Sequence, residues 1–206
     1  MTNARRISSW DVRVSHRFGR AWFTWPVARA LVIVDIQQDY FPGGAYPLEG
    51  PEAAADSARR LLESFRAAGE PVFHVRHVWD EDEATFMRSG TDGVEIHPDV
   101  APLESETVIT KAHPNSFRDT VLEKELRALG ADALVVCGMM TSMCVDATVR
   151  AAVDLGFDTT VVHDACATCD LEFGGESVPA AAVHAAFLAA LADGYAAVVA
   201  TDELAG

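Results

Sequence analysis

The sequence predicts an α/β protein built on a parallel sheet of six strands, and three features of the chain predict it. Strand-like and helix-like segments alternate from residue 29 onward. The central strand-like runs, residues 30–34 and 133–137, are apolar without alternation, as strands covered on both faces are. Glycines stand where helices have to stop, at Gly69, Gly130, Gly156 and Gly194. Helices over both faces of such a sheet make a three-layer α/β/α domain.

The elements follow in order. The first strand, 30–34, ends at Asp35. Residues 52–68 form a helix with Leu61, Leu62 and Phe65 on one stripe, and the second strand is 72–78. The long loop 79–105 reads as a lid over the sheet edge, its run Asp80-Glu81-Asp82-Glu83 being a solvated face. The third strand begins at residue 107 and ends at Lys111, and a helix spans about 118 to 130. The fourth strand, 133–137, turns sharply at Gly138 into a helix read over 141–155. After the fifth strand, 159–163, a Gly-rich loop leads to a helix over 179–193, with Val183, Phe187 and Leu191 on one face. The last strand is 196–199.

A chain of 206 residues is most simply one domain with a sizeable core. No apolar run approaches the roughly eighteen residues that cross a bilayer. The formal charge of −15 is uneven. Residues 1–29 hold six arginines against Asp11, a net of +5, which leaves −20 on residues 30–206. An acidic body argues against nucleic acid or an anionic membrane as partner, and fits a neutral or cationic small molecule. Four cysteines without an apolar secretory segment suit a reducing cytoplasm. Residues 1–28, with three of the four tryptophans and no clear period, form an N-terminal extension to a domain at 29–206. Two readings of it stay open: a start assigned upstream of a natural one at Val27, or an arm docked at an interface.

The chemistry concentrates at three strand ends. Cys144 follows the sharp turn after the fourth strand, in the first turn of a helix, where unpaired N–H groups favour a thiolate. The bland alternative is a small buried hydrophobe, as Cys137 is inside its strand. Asp35 and Lys111 close two other buried strands, an acid and a base that are costly to place there unless they act together. At that edge of an open parallel sheet ligands bind. Singly, the aspartate reads as a turn or cap residue and the lysine as solvated; jointly they read as catalytic. Cys166 and Cys169 form a CxxC without a second pair or a following helix, so it reads as incidental.

Asp35 in VDIQQDYF, Lys111 in TKAHPNSF and Cys144 in GMMTSMCVDAT resemble, in that chain order, the isochorismatase-like cysteine hydrolases, over residues 29 to 200 or so. That family includes nicotinamidases, carbamoylsarcosine amidase and streptothricin hydrolase. The resemblance implies strand order 3-2-1-4-5-6, a homodimer or higher homo-oligomer, and no cofactor. It further implies a hydrolase that cleaves a C–N bond of a small amide, lactam or ureido compound through a thioester on Cys144. Asp35 is then the proton carrier and Lys111 the balancing charge. Backbone N–H groups of Met140 and Cys144 form the oxyanion hole, with a cis peptide between Met139 and Met140. Tyr40 matches a position where the family sets an aromatic ring against substrate. Gln37, Trp79 and Phe86 are further candidate substrate contacts, whereas Phe117 reads as core.

Three departures and alternatives belong beside this. The Asp-x-His metal motif of nicotinamidases is broken here, where the chain reads Arg76-His77-Val78-Trp79. His74 and His77, three apart on a strand, face opposite ways and cannot share an ion, so no metal is expected. His113 is a weaker candidate base for Cys144. The rival functions are vinyl ether hydrolysis of the isochorismate type, whose branch lacks the cysteine, a redox-active thiol protein, and a non-catalytic binding module. No GxGxxG follows the first strand, only Pro42-Gly43-Gly44, so dinucleotide binding is unsupported.

Overall fold

Strand β1 (Ala28–Val34) is buried on both faces over its last five residues, so it lies inside a sheet and not at an edge. The computed structural model describes residues 28–81 and 83–205, and the N-terminal extension expected from the sequence lies outside them. β1 is followed by α1 (Pro51–Ala68), β2 (Val72–His77), β3 (Thr107–Lys111), α2 (Leu122–Ala128) and β4 (Ala131–Met139). Then come α3 (Asp146–Asp154), β5 (Asp158–Ala167), β6 (Leu171–Phe173), β7 (Glu176–Val178), α4 (Ala180–Gly194) and β8 (Ala197–Val199). Six strands make one parallel sheet in the order β3-β2-β1-β4-β5-β8. With four helices flanking it, this is the predicted α/β/α architecture, the last strand of the pattern being β8.

Helix α1 shows why the sequence folds this way locally. Pro51 starts it at a position that needs no N–H, and Gly69 ends it in the left-handed region at φ 69°. Its stripe of Leu61, Leu62 and Phe65 is fully buried against the sheet. No helix among the described residues is long and apolar enough to cross a membrane.

Four details differ from the sequence reading. Residues 171–178 form a small antiparallel hairpin, because Gly174 and Gly175, at φ 64° and 82°, make the two-residue turn that matches strand twist. Helix α2 starts late because Thr120 donates its hydroxyl to the Ser116 carbonyl and receives the Leu122 N–H, holding that stretch in turns. The expected helix at 141–155 opens as a π turn, Thr141–Val145, in which the Met140 carbonyl receives the N–H of both Met143 and Val145. Strand β5 continues past a bulge, so Cys166 pairs beside Gly138 within the sheet.

The strand order reverses between β1 and β4, from which the chain connections leave in opposite directions. There the backbones come unusually close. Gly138, at φ 128°, sits so near β1 that a Cβ on it would overlap the Val34 carbonyl oxygen. Gly138→Ala should therefore destabilise the protein by at least about 2 kcal/mol, from overpacking together with a disfavoured backbone angle. Chemical denaturation measures it; a midpoint equal to wild type would show that β4 does not need this approach.

Candidate active site

Four neighbouring strand ends supply the polar side chains of the site. In spatial order they are Lys111 on β3, His77 on β2, Asp35 after β1, and Cys144 in the π turn after β4. Asp35 leaves the sheet abruptly: its N–H still bonds the Val75 carbonyl at 2.9 Å, yet its φ is 50°. The π turn is fastened by Thr141, which bonds the Ala167 carbonyl at 3.2 Å and pairs with His184 at 2.9 Å. Ser142 pairs with Thr168 at 2.8 Å. The Met139–Met140 peptide is cis.

Lys111 gathers the group. Its Nζ lies 2.6 Å from Asp35 Oδ2, 3.1 Å from His77 Nδ1 and 3.2 Å from Cys144 Sγ. An ammonium has three N–H bonds, and here it meets three acceptors. Both side chains of the ion pair are wholly buried. Neither Asp35 oxygen has an aligned hydrogen-bond donor among the described residues, so lone pairs remain open on the carboxylate.

Burial raises the Asp35 pKa, and Lys111 and Cys144 only partly oppose it. Burial alone would pull Lys111 down, but Asp35 and Cys144 leave its pKa raised, and it stays charged. For Cys144, burial and then the Asp35 charge raise the pKa more than Lys111 lowers it. Desolvation and the neighbouring Asp35 outweigh Lys111 and disfavour the charged form of the thiol.

His77 enters the site although sequence reasoning left it out. Its face of β2 is opposite that of His74, whose Nε2 bonds Glu106 at 2.9 Å away from the cluster. One ligand-type atom from each of Asp35, His77 and Cys144 lies within 4.8 Å of the others. That spacing resembles a cation site, but the Lys111 ammonium already touches all three residues. A second cation there would face an unscreened positive charge, so these residues do not fit a metal.

The other candidates divide. Tyr40 and Phe86 lie 6.1 Å apart between ring centres, and Trp79 meets Phe86 edge-on at 5.0 Å. Tyr46, unanticipated, stacks on Phe86 at 4.9 Å; its only signal was an aromatic just past a Gly-Gly turn. Gln37 is not a free substrate contact. Its amide donates to the His77 and Val94 carbonyls and accepts the His77 N–H, so it holds the site's frame instead. His113 faces Asp119 at 3.3 Å and does not pair with Cys144. Phe117 stacks on Phe157 in the core. Of the CxxC pair, Cys166 is buried in β5 and donates to the Val162 carbonyl, while Cys169 lies beyond the strand. The loop 79–105 is pinned by buried Met87, Val94 and Val100, and an open cavity of about 830 Å³ between it and Gly43–Gly44 includes Phe86 but no part of the Lys111 cluster.

Residues 29–203 match the isochorismatase domain. The chain belongs to the isochorismatase family. It is 53% identical to the isochorismatase family protein YddQ of Bacillus subtilis, over 84% of this chain and 96% of YddQ. The structure of an isochorismatase hydrolase from Oleispira antarctica superposes with a TM-score of 0.85 at 51% identity, covering 89% of this chain and 99% of that one. Streptothricin hydrolase of Streptomyces noursei is 37% identical over 74% of this chain and 55% of its own length. This isochorismatase-family protein is thus a hydrolase with the family's α/β fold.

Replacing Lys111 with methionine keeps the length and removes the charge. The Cys144 pKa should rise further, slowing its alkylation by iodoacetamide near neutral pH at least about tenfold. Stability should fall by about 3–5 kcal/mol, because Asp35 loses its buried partner. Peptide-resolved alkylation rates against pH check the first part; an unchanged profile would remove Lys111 from control of the thiol.

Proposed function

We propose that this hydrolase cleaves a C–N bond of a small amide, lactam or ureido compound through a thioester on Cys144. The observation that carries the reading is the contact of one buried ammonium with both a carboxylate and a thiol, 2.6 and 3.2 Å away. A buried thiol with a raised pKa needs a base to become a nucleophile, and Asp35 has open lone pairs beside it. A relative by sequence is named ureidoacrylate amidohydrolase, for a hydrolysis of this kind.

The steps balance as follows. The thiol proton passes to Asp35 as sulfur bonds the carbonyl carbon, and the carbonyl π electrons move to oxygen. That oxyanion is held by the N–H groups of Met140 and Cys144. As the C–N bond breaks, the proton on Asp35 goes to the departing nitrogen, leaving a thioester. Water then loses a proton to Asp35 and attacks the thioester; the C–S bond breaks and the thiol regains that proton. Tyr40, Tyr46, Trp79 and Phe86 wall the approach and favour a small, flat, largely uncharged substrate. The four free cysteines suit a reducing cytoplasm, where we place the protein as a homo-oligomer.

Screening small amides and ureido compounds for ammonia or amine release identifies the substrate. On it, Cys144→Ser and Asp35→Asn should each lower kcat by about a thousandfold or more, and the double variant should lose little beyond either. Denaturing mass spectrometry of Asp35→Asn, in which deacylation is slowed, should reveal an acyl adduct on Cys144. Near wild-type turnover by Cys144→Ser would end the thioester mechanism.

A further inference from the structure

The Lys111 ammonium is buried against Asp35, His77 and Cys144, and its contact with the imidazole fixes a histidine tautomer. The ammonium donates to His77 Nδ1 at 3.1 Å. A neutral imidazole that accepts at Nδ1 carries its proton on Nε2. Burial first, then the charges of Lys111 and His113, push the His77 pKa down to about 4, so the ring is neutral near pH 7. Its Nε2 is buried and has no partner among the described residues. An N–H without an acceptor in such a place costs about 1–3 kcal/mol, which calls for an explanation.

The ring cannot turn to relieve this. Gln37 clamps the backbone of His77 from both sides, accepting its N–H and donating to its carbonyl, each at 2.8 Å. Trp79 packs edge-on against the ring at 5.2 Å. A flip of the ring would take Nδ1 away from Lys111 and leave the ammonium without its third acceptor. His74 also has an unpartnered nitrogen, but on the far side of the strand, tied to Glu106. Among the described residues, only His77 has a ring nitrogen within 4.8 Å of atoms on both Asp35 and Cys144.

We infer that His77 Nε2–H is a substrate-positioning donor, which meets a neutral oxygen acceptor carried on an atom one or two bonds from the scissile carbonyl carbon. The substrates are then amides carrying an ether, ketone or ureido oxygen at that place, in preference to plain alkyl amides. The inference rests on Cys144 as the group that meets the carbonyl carbon. A thiol poised to attack lies about 3–3.5 Å from that carbon, and a His77 ring nitrogen lies within 4.8 Å of the Cys144 sulfur, so a substrate group next to the carbonyl comes up against this ring. A neutral acceptor suits it better than an anion. The imidazole adds no charge, the Lys111 charge is already matched by Asp35, and the Asp35 carboxylate repels a second anion.

Protection of Cys144 from iodoacetamide, followed on the Cys144 peptide by mass spectrometry, tests this without requiring turnover. The probes are acetoacetamide and butanamide, alike in length but for the ketone oxygen. In the wild type, acetoacetamide should protect at about tenfold lower concentration, the effect of one buried hydrogen bond. His77→Phe should bring the two amides to equal protection, and His77→Gln, which keeps an N–H, should retain part of the difference. Should the phenylalanine variant fail to fold, long-range proton–nitrogen NMR of the wild type reads the same point. It should show a neutral ring with the proton on Nε2, shifted by acetoacetamide and not by butanamide. Equal protection by both amides in the wild type, protection by neither, or an undiminished ratio in His77→Phe overturns the inference. A preserved ratio without hydrolysis of any amide would instead count against the thioester mechanism.

Discussion

A lysine ammonium with no solvent exposure is tolerable only where the protein replaces its hydration, and at Lys111 three side chains do so. One acceptor is a carboxylate, one a thiol and one an imidazole. Burying each ion of such a pair costs several kcal/mol, and the mutual attraction offsets this only with good geometry. Displacing any one partner therefore disturbs the others. Residues from four separate strand ends are thereby joined at one ammonium, and a lysine at the end of β3 touches a cysteine two strands beyond β2.

The backbone is shaped to bring those partners within reach of a single side chain. Parallel pairing sets His77 opposite Lys111, and β1 and β4 run side by side up to Gly138. With no side chain there, β4 reaches the level of Val34 before the chain turns toward Cys144. Asp35 takes a left-handed angle to leave the sheet at the same height. Asp39 then fixes the rim, accepting the N–H of Ala45 at 3.0 Å and of Met87 at 2.5 Å. Gly44 and Gly93 lie against Asp39 where no Cβ would fit, so the aromatic wall is tied to the first strand through one carboxylate.

Much of this was legible because it is local. Unbroken apolar runs marked the central strands, and Asp35, Lys111 and Cys144 stood out as chemistry-bearing residues at their ends. What escaped depends on contacts between distant segments. His77 was read through its separation from His74, which bears on a shared ion but says nothing of Lys111, 34 residues away. The place of Cys144 at a helix start favours a thiolate, whereas burial and Asp35, which that place does not reveal, push its pKa up. The hairpin at 171–178 was a missed signal, since two consecutive glycines between short extended runs already specify such a turn.

The proton inventory of the site explains why a resting thiol suits the proposed chemistry better than a resting thiolate. With Asp35 ionised, Lys111 charged and Cys144 neutral, the buried cluster carries no net charge. Passing the proton from sulfur to carboxylate moves the negative charge between two atoms that both touch Nζ, and leaves the total unchanged. A resting thiolate beside an ionised Asp35 would put two buried negative charges against one positive, which desolvation penalises heavily. His77, held neutral, adds nothing to that sum, and its lowered pKa keeps it so at ordinary pH. The ammonium can thus stay fixed through the reaction while a single negative charge migrates around it, which requires little reorganisation from the surrounding protein.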